Sequence, residues 1–221
     1  MKITYSETQF NQVGFFPVPA EQDAYPMTSG LFTSLTPTWF SGARKGLACA
    51  LAYLTSVSGL LSFNSKISPL TASLLQGLFP SREILVDTGC VEFKPLDMQL
   101  GQATMHVGLF NRLIDAVQFN SELNDSNRFD ETSLAIVKND GISGFLSMPR
   151  HRLVASNFWM SKELEMPFDS FLKACSLALM YSEDLVANRI VLHYPNSGVG
   201  FDEMKIISDL FYSVGLTLEV C

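Results

Sequence analysis

The sequence predicts an α/β domain with a mixed sheet flanked by helices, and three observations carry that expectation. Residues 189–194, "RIVLHY", form an apolar strand-like run, followed by a Pro-Asn-Ser-Gly-Val-Gly loop, an amphipathic segment and a further apolar run at 216–220. Strand, helix and strand in so short a space favour a parallel, right-handed crossover. Apolar residues recur at helical spacing in several earlier segments, and these alternate with strand-like runs. Asn139-Asp140-Gly141 separates two apolar runs. That is a hairpin signal, because Asp-Gly tolerates positive φ, and a hairpin makes the sheet mixed.

Taken in order, Met1 to Phe10 reads as a first strand. "FFPVPAEQDAYPMTSGLF" carries Pro17, Pro19 and Pro26 and reads as a loop-rich link with short extended pieces. "SGARKGLACALAYLTSV" sets Leu47, Leu51, Leu54 and Ser58 at helical spacing, with Ser41 as N-cap. Residues 69–78 predict a short second helix, and 82–93 a strand, or a pair broken at Gly89. A helix is expected near Met105 to Gln118, with Leu109, Leu113, Ile114 and Val117 on one face. "NSELNDSNRFDET" is polar and reads as a surface loop. Phe168, Phe171, Leu172, Cys175 and Leu179 mark the next helix. The chain then closes with strand 189–194, loop 195–201, helix 202–213 and strand 216–220.

A length of 221 residues, 47% of them apolar and 17% charged, suits one domain spanning 1–221 with a full core. A net charge of −7 argues against sequence-independent nucleic-acid binding, which needs a basic face. It leaves room for a small anion held by backbone N–H groups at a helix start. Cys49, Cys90, Cys175 and Cys221 form no C-x-x-C pair, and with three histidines no zinc spacing arises. No metal or cofactor is therefore expected. Cys49 and Cys175 sit on apolar helical faces as small core residues, and a reduced, cytoplasmic setting follows. "MKITYSETQF" has no signal-peptide run, and Gly46 to Leu61 is too short and too polar to span a membrane.

Leu85-Val86-Asp87-Thr88-Gly89 matches an aspartic-protease triplet, but that chemistry needs two facing carboxylates and the chain holds one triplet. His106, His151 and His193 have no spacing that predicts contact, and no G-x-S-x-G elbow or Walker A loop occurs. Two glycine-containing loops remain, "WFSGARKGLA" and "YPNSGVGFDE", each opening a helix. Meeting at one sheet edge they could grip a pyrophosphate; read separately they are ordinary strand-to-helix turns.

The order of several short stretches resembles a macrodomain, most of all the branch related to terminal ADP-ribose protein glycohydrolase. "KITYSETQF" resembles its opening strand, "FSGARKGLACAL" its first loop and helix, and "AIVKNDGISGFLSMPRHRLV" its hairpin. "PFDSFLKACSLAL" resembles the helix after that, and "RIVLHYPNSGVGFDEM" its phosphate loop. The resemblance implies a ligand, ADP-ribose or a related nucleotide, and removal of ADP-ribosyl groups as an activity. It places Ser41, Gly42, Ala43 and Gly46 in the first loop, and Asn196, Ser197, Gly198, Val199, Gly200 and Phe201 around the diphosphate. Asp202 falls near the family's catalytic acid, and is equally an N-cap. The chain departs from the pattern where the family has a catalytic Lys, since Pro149 or Arg150 stands there, and Arg is no amine nucleophile at neutral pH. It departs again at the adenine-reading Asp, where Glu7, Thr8 and Gln9 stand, and at Arg44 and Lys45 within the first loop. Residues 80–132 exceed the family's usual connection and are expected to form an insertion, a lid or a surface for a protein partner. The alternative function is a non-catalytic structural or interaction module, for example within a viral or cellular assembly.

Overall fold

The computed structural model describes residues 1–8, 12–94, 101–125, 130–139, 146–159, 167–194 and 199–221. The strands are β1 Lys2–Glu7, β2 Val13–Val18, β3 Leu31–Thr33, β4 Leu60–Phe63, β5 Leu85–Val86, β6 Ala103–Phe110, β7 Glu131–Lys138, β8 Leu146–Ser147, β9 His151–Ser156, β10 Ala187–His193 and β11 Thr217–Val220. The helices are α1 Gly42–Tyr53, α2 Pro69–Gly77, α3 Leu113–Asp125, α4 Pro167–Tyr181 and α5 Phe201–Tyr212. The sheet runs β11-β10-β6-β7-β9-β3-β2-β1-β4-β5, with β8 beside β9. From β11 to β9 every neighbour is parallel. β3, β2 and β1 turn antiparallel, and β4 and β5 are again parallel to β1. The class is therefore α/β with a mixed sheet.

The core explains the sequence pattern. Leu134 and Ile136 of β7 enter the main cluster with α1 and α4, while Ala135 and Val137 meet Ala116 of α3 on the opposite face. Both faces of β7 are covered, so it reads as a continuous apolar run rather than an alternating one. α1 and α4 pack on each other. The small residues of "GLACALA" allow close approach, and Ser176 Oγ donates to the Ala48 carbonyl across the pair at 2.7 Å. Cys49, Cys90 and Cys175 are buried, and burial pushes the Cys49 thiol up to about 12. Among the described residues, no helix is long and apolar enough to cross a membrane.

Several expectations hold. Helices start at Gly42, Pro69 and Pro167, and β10, α5 and β11 form a strand–helix–strand unit with parallel strands. Others are corrected. The helix expected near Met105 to Gln118 is strand β6 followed by α3. Met105 and Val107 point into the main core while Thr104 and His106 lie on the other face, a period of two. Leu113, Ile114 and Val117, expected on one helical face, are exposed on α3. The first half of "NSELNDSNRFDET" is the end of α3; 126–129 lie outside the described residues.

The hairpin expected at Asp140-Gly141 also lies outside them; among the described residues β7 pairs with β6 and β9, both parallel. The antiparallel pair is β8 with β9, closed by mutual backbone bonds between Met148 and His151. Within residues 80–132, β6 lies between β10 and β7 in the sheet. Asp87 of the protease-like triplet caps a short 3-10 turn, its carboxylate accepting the Gly89 N–H at 2.8 Å.

Candidate functional site

Ser41, Gly42 and Ala43 open α1, and three N–H groups at and just before this start donate to the chain's own carboxylates. Ser41 N–H donates to the Glu183 carboxylate. Thr38 and Trp39 N–H donate to the two oxygens of Asp184 at 2.9 and 2.7 Å. Arg44, fully buried, donates from Nη1 to Ser182 Oγ at 3.1 Å and from Nε to the Val214 carbonyl at 3.3 Å. Its Nε also lies 3.9 Å from Glu183 Oε1. A Cβ on Gly46 would sit 2.4 Å from Ile67 Cγ2, so this glycine serves helix packing rather than ligand approach. Lys45 folds over the rings of Tyr5 and Phe40, at 5.1 and 5.7 Å from their centroids.

The start of α5 has a carboxylate on its N-cap in the same way. Gly200 N–H donates to Glu203 Oε2 at 2.6 Å, and Asp202 and Glu203 put negative charge in the first turn of α5. These carboxylates take the place an anion would occupy at a helix start. Val199 packs on the core, Phe201 is 86% exposed, and Asp202 is an exposed first-turn residue. Asn196, Ser197 and Gly198 lie outside the described residues.

The described helix starts, Ser41–Arg44 and Gly200–Phe201, stand at opposite edges of the sheet. Ser41 and Arg44 contact Glu183 and Val214, which precede β10 and β11, at the amino edge of the parallel strands. Gly200 and Phe201 follow β10 at the carboxyl edge. The length of α5 separates the two ends, about 18 Å at 1.5 Å per residue. Arg150, at the start of β9, is likewise at the amino edge, where with Pro149, Gln102, Asp130 and Val186 it lines a cleft of about 320 Å3. Its Nη2 donates to the Glu131 carbonyl at 3.0 Å. Asp202 and Arg150 therefore stand at opposite edges and form no catalytic pair.

Sequence reasoning missed a cluster at the carboxyl edge. His106 and His193 lie on neighbouring strands, and His106 Nδ1 is 3.3 Å from His193 Nε2. His193 Nδ1 is 3.3 Å from Cys221 Sγ. Phe119 of α3 closes on the His193 ring, centroid to centroid 5.5 Å. Burial and then the neighbouring His106 hold the His193 pKa below the ordinary imidazole value. The third histidine is elsewhere: His151 Nδ1 is 2.7 Å from Ser133 Oγ, which donates to Asn120 Oδ1 at 2.6 Å. Burial and then Arg150 lower the His151 pKa.

The fold thus holds the His193 and His151 imidazoles below the ordinary value. The unfolded chain binds protons near the ordinary value of about 6.5 while the native one resists. Stability is expected to be full above that value and to fall as pH drops through it. Urea unfolding between pH 7.5 and pH 5 checks this, and His151→Gln, which keeps a partner for Ser133, should flatten the slope.

Comparison with protein-family models, curated proteins and solved structures finds no match to this chain.

Proposed function

We propose that the chain is a non-catalytic interaction module on an α/β frame. One observation carries this reading: at each glycine-loop helix start the N-cap N–H donates to one of the chain's own carboxylates, Ser41 to Glu183 and Gly200 to Glu203, which sets a negative charge at that helix end. A diphosphate at either start would meet the repulsion of that carboxylate, and the two described starts stand at opposite edges of the sheet. The partner surface in this reading is the outer side of α3, within 80–132, where Leu113, Ile114 and Val117 are exposed. Thermal unfolding with millimolar ADP-ribose, NAD or ATP tests the proposal, and no shift is expected. A ligand at a hundred times its Kd adds about 2.7 kcal/mol, so a saturable shift of that size overturns it.

The second reading is the nucleotide ligand that the macrodomain resemblance implies, including removal of ADP-ribosyl groups. It is favoured by the place of the loop after β10, since open α/β sheets hold ligands beyond the carboxyl ends of their strands. Under it, a ligand shift appears in the wild type and Gly198→Glu abolishes it.

A further inference from the structure

We propose that Cys221 is a nucleophilic thiol, activated by His193 as general base, and that it takes small disulfides to form a mixed disulfide. The geometry is that of a nucleophile, a base and an orienting group in line. Cys221 Sγ lies 3.3 Å from His193 Nδ1, and His193 Nε2 lies 3.3 Å from His106 Nδ1. For Nδ1 to accept the thiol proton, His193 must carry its hydrogen on Nε2, and His106 Nδ1 is placed to accept that hydrogen.

The sheet holds the parts in register. The Cys221 N–H donates to the Leu192 carbonyl at 3.1 Å, and the Tyr194 N–H donates to the Cys221 carbonyl at 3.0 Å. His106 lies opposite Val191 and His193 opposite Gly108, so both imidazoles and the thiol share one face of the sheet. At Gly108 a Cβ would come within 2.5 Å of the Phe110 ring, so the glycine makes room for the aromatic wall beside His193. Cys221 is exposed, whereas Cys49, Cys90 and Cys175 are buried. The other charged pair on this face, Arg189 with Glu219, is engaged with itself.

The step balances without a further reactant. His193 Nδ1 takes the thiol proton, Cys221 Sγ attacks one sulfur of a disulfide RS–SR, and a new S–S bond forms as the old one breaks. The leaving thiolate RS⁻ takes the proton back from His193. Cys221 is oxidised to Cys221–S–SR and one equivalent of RSH is released. His106 is a positioning residue, acting through His193.

The test is the rate of reaction of the native chain with the chromogenic disulfide DTNB at pH 7, with glutathione disulfide and peptide mass mapping as a second probe. A free thiol is only a few per cent ionised at this pH, so activation has room to raise the rate, and a gain of about tenfold over a short Cys-containing peptide is expected. One thiol per chain should react, mapped to Cys221 and absent in Cys221→Ser. His193→Gln should return the rate to that of the peptide. His106→Gln, whose amide oxygen can accept the same hydrogen, should keep the fast rate, and His106→Leu should lose it. A far-ultraviolet dichroism spectrum like that of the wild type confirms that each variant is folded. A wild-type rate equal to the peptide's, or a rate unchanged in folded His193→Gln, overturns the proposal.

Discussion

Arg44→Met is expected to destabilise the fold by about 3–5 kcal/mol, the usual result of removing one partner from a buried ion pair. Arg44 is completely buried, with Ser182 Oγ, the Val214 carbonyl and the Glu183 carboxylate around it. It ties the start of α1 to the segment after α4 and to the turn after α5. Without it the Glu183 carboxylate stays buried, held by Ser41 N–H on Oε2 and by no hydrogen bond on Oε1. Arg44→Met combined with Glu183→Gln should lose less than Arg44→Met alone, because the amide removes the stranded charge yet still accepts from Ser41. Urea denaturation of the two variants gives the comparison. A single-variant loss below about 1 kcal/mol, the scale of an exposed pair, would show that the node is not the buried anchor described.

Asp23→Ala should produce a loss of similar size, about 3–5 kcal/mol. The Asp23 carboxylate lies 2.7 Å from the Met1 ammonium, with both side chains fully buried. It also accepts the N–H of Ala20 at 2.7 Å and of Ser58 at 2.9 Å. Burial pushes its pKa up, but the ammonium and the two N–H groups outweigh burial and hold it below the ordinary carboxylate value. The native state therefore binds this proton less readily than the unfolded chain. Its contribution is present above the ordinary carboxylate pKa and fades as pH falls through the lower native value. The wild type's advantage over Asp23→Ala should be full at pH 7 and shrink in acid. An advantage independent of pH would mean that lost packing, rather than charge, accounts for the difference.

The last strand–helix–strand unit was legible because its signals are local. Glycines bracket α5, and apolar runs flank it on both sides. α2 and α4 were legible for the same reason: Ser68 accepts from Thr71 N–H as an N-cap, and α4 begins at Pro167 with Asp169 in its first turn. β6 was misread because Leu109, Leu113 and Val117 imitate a helical stripe. Pairing with β10 and β7 decides its state, and pairing is not written in a short window.

The closure of the loops divides along the same line. Glu203 follows Gly200 by three residues, the spacing at which a carboxylate reaches back to a helix start, so that half could be read from the sequence. Glu183 lies 142 positions from Ser41, and His193 lies 87 from His106. Such contacts depend on topology and on strand register, and a one-residue slip of β10 would turn His193 to the other face.

At the helix starts of both glycine loops the N-cap N–H is held by the chain's own carboxylate, Glu183 at Ser41 and Glu203 at Gly200. Following the amide resonances of Ser41 and Gly200 by nitrogen–proton NMR during addition of ADP-ribose tests it most directly. Both resonances should stay in place up to millimolar ligand, while in Glu203→Gln the Gly200 resonance alone should start from a new position. Saturable movement of the Gly200 or Ser41 resonance in the wild type would contradict this, because it would put a ligand where Glu203 and Glu183 sit.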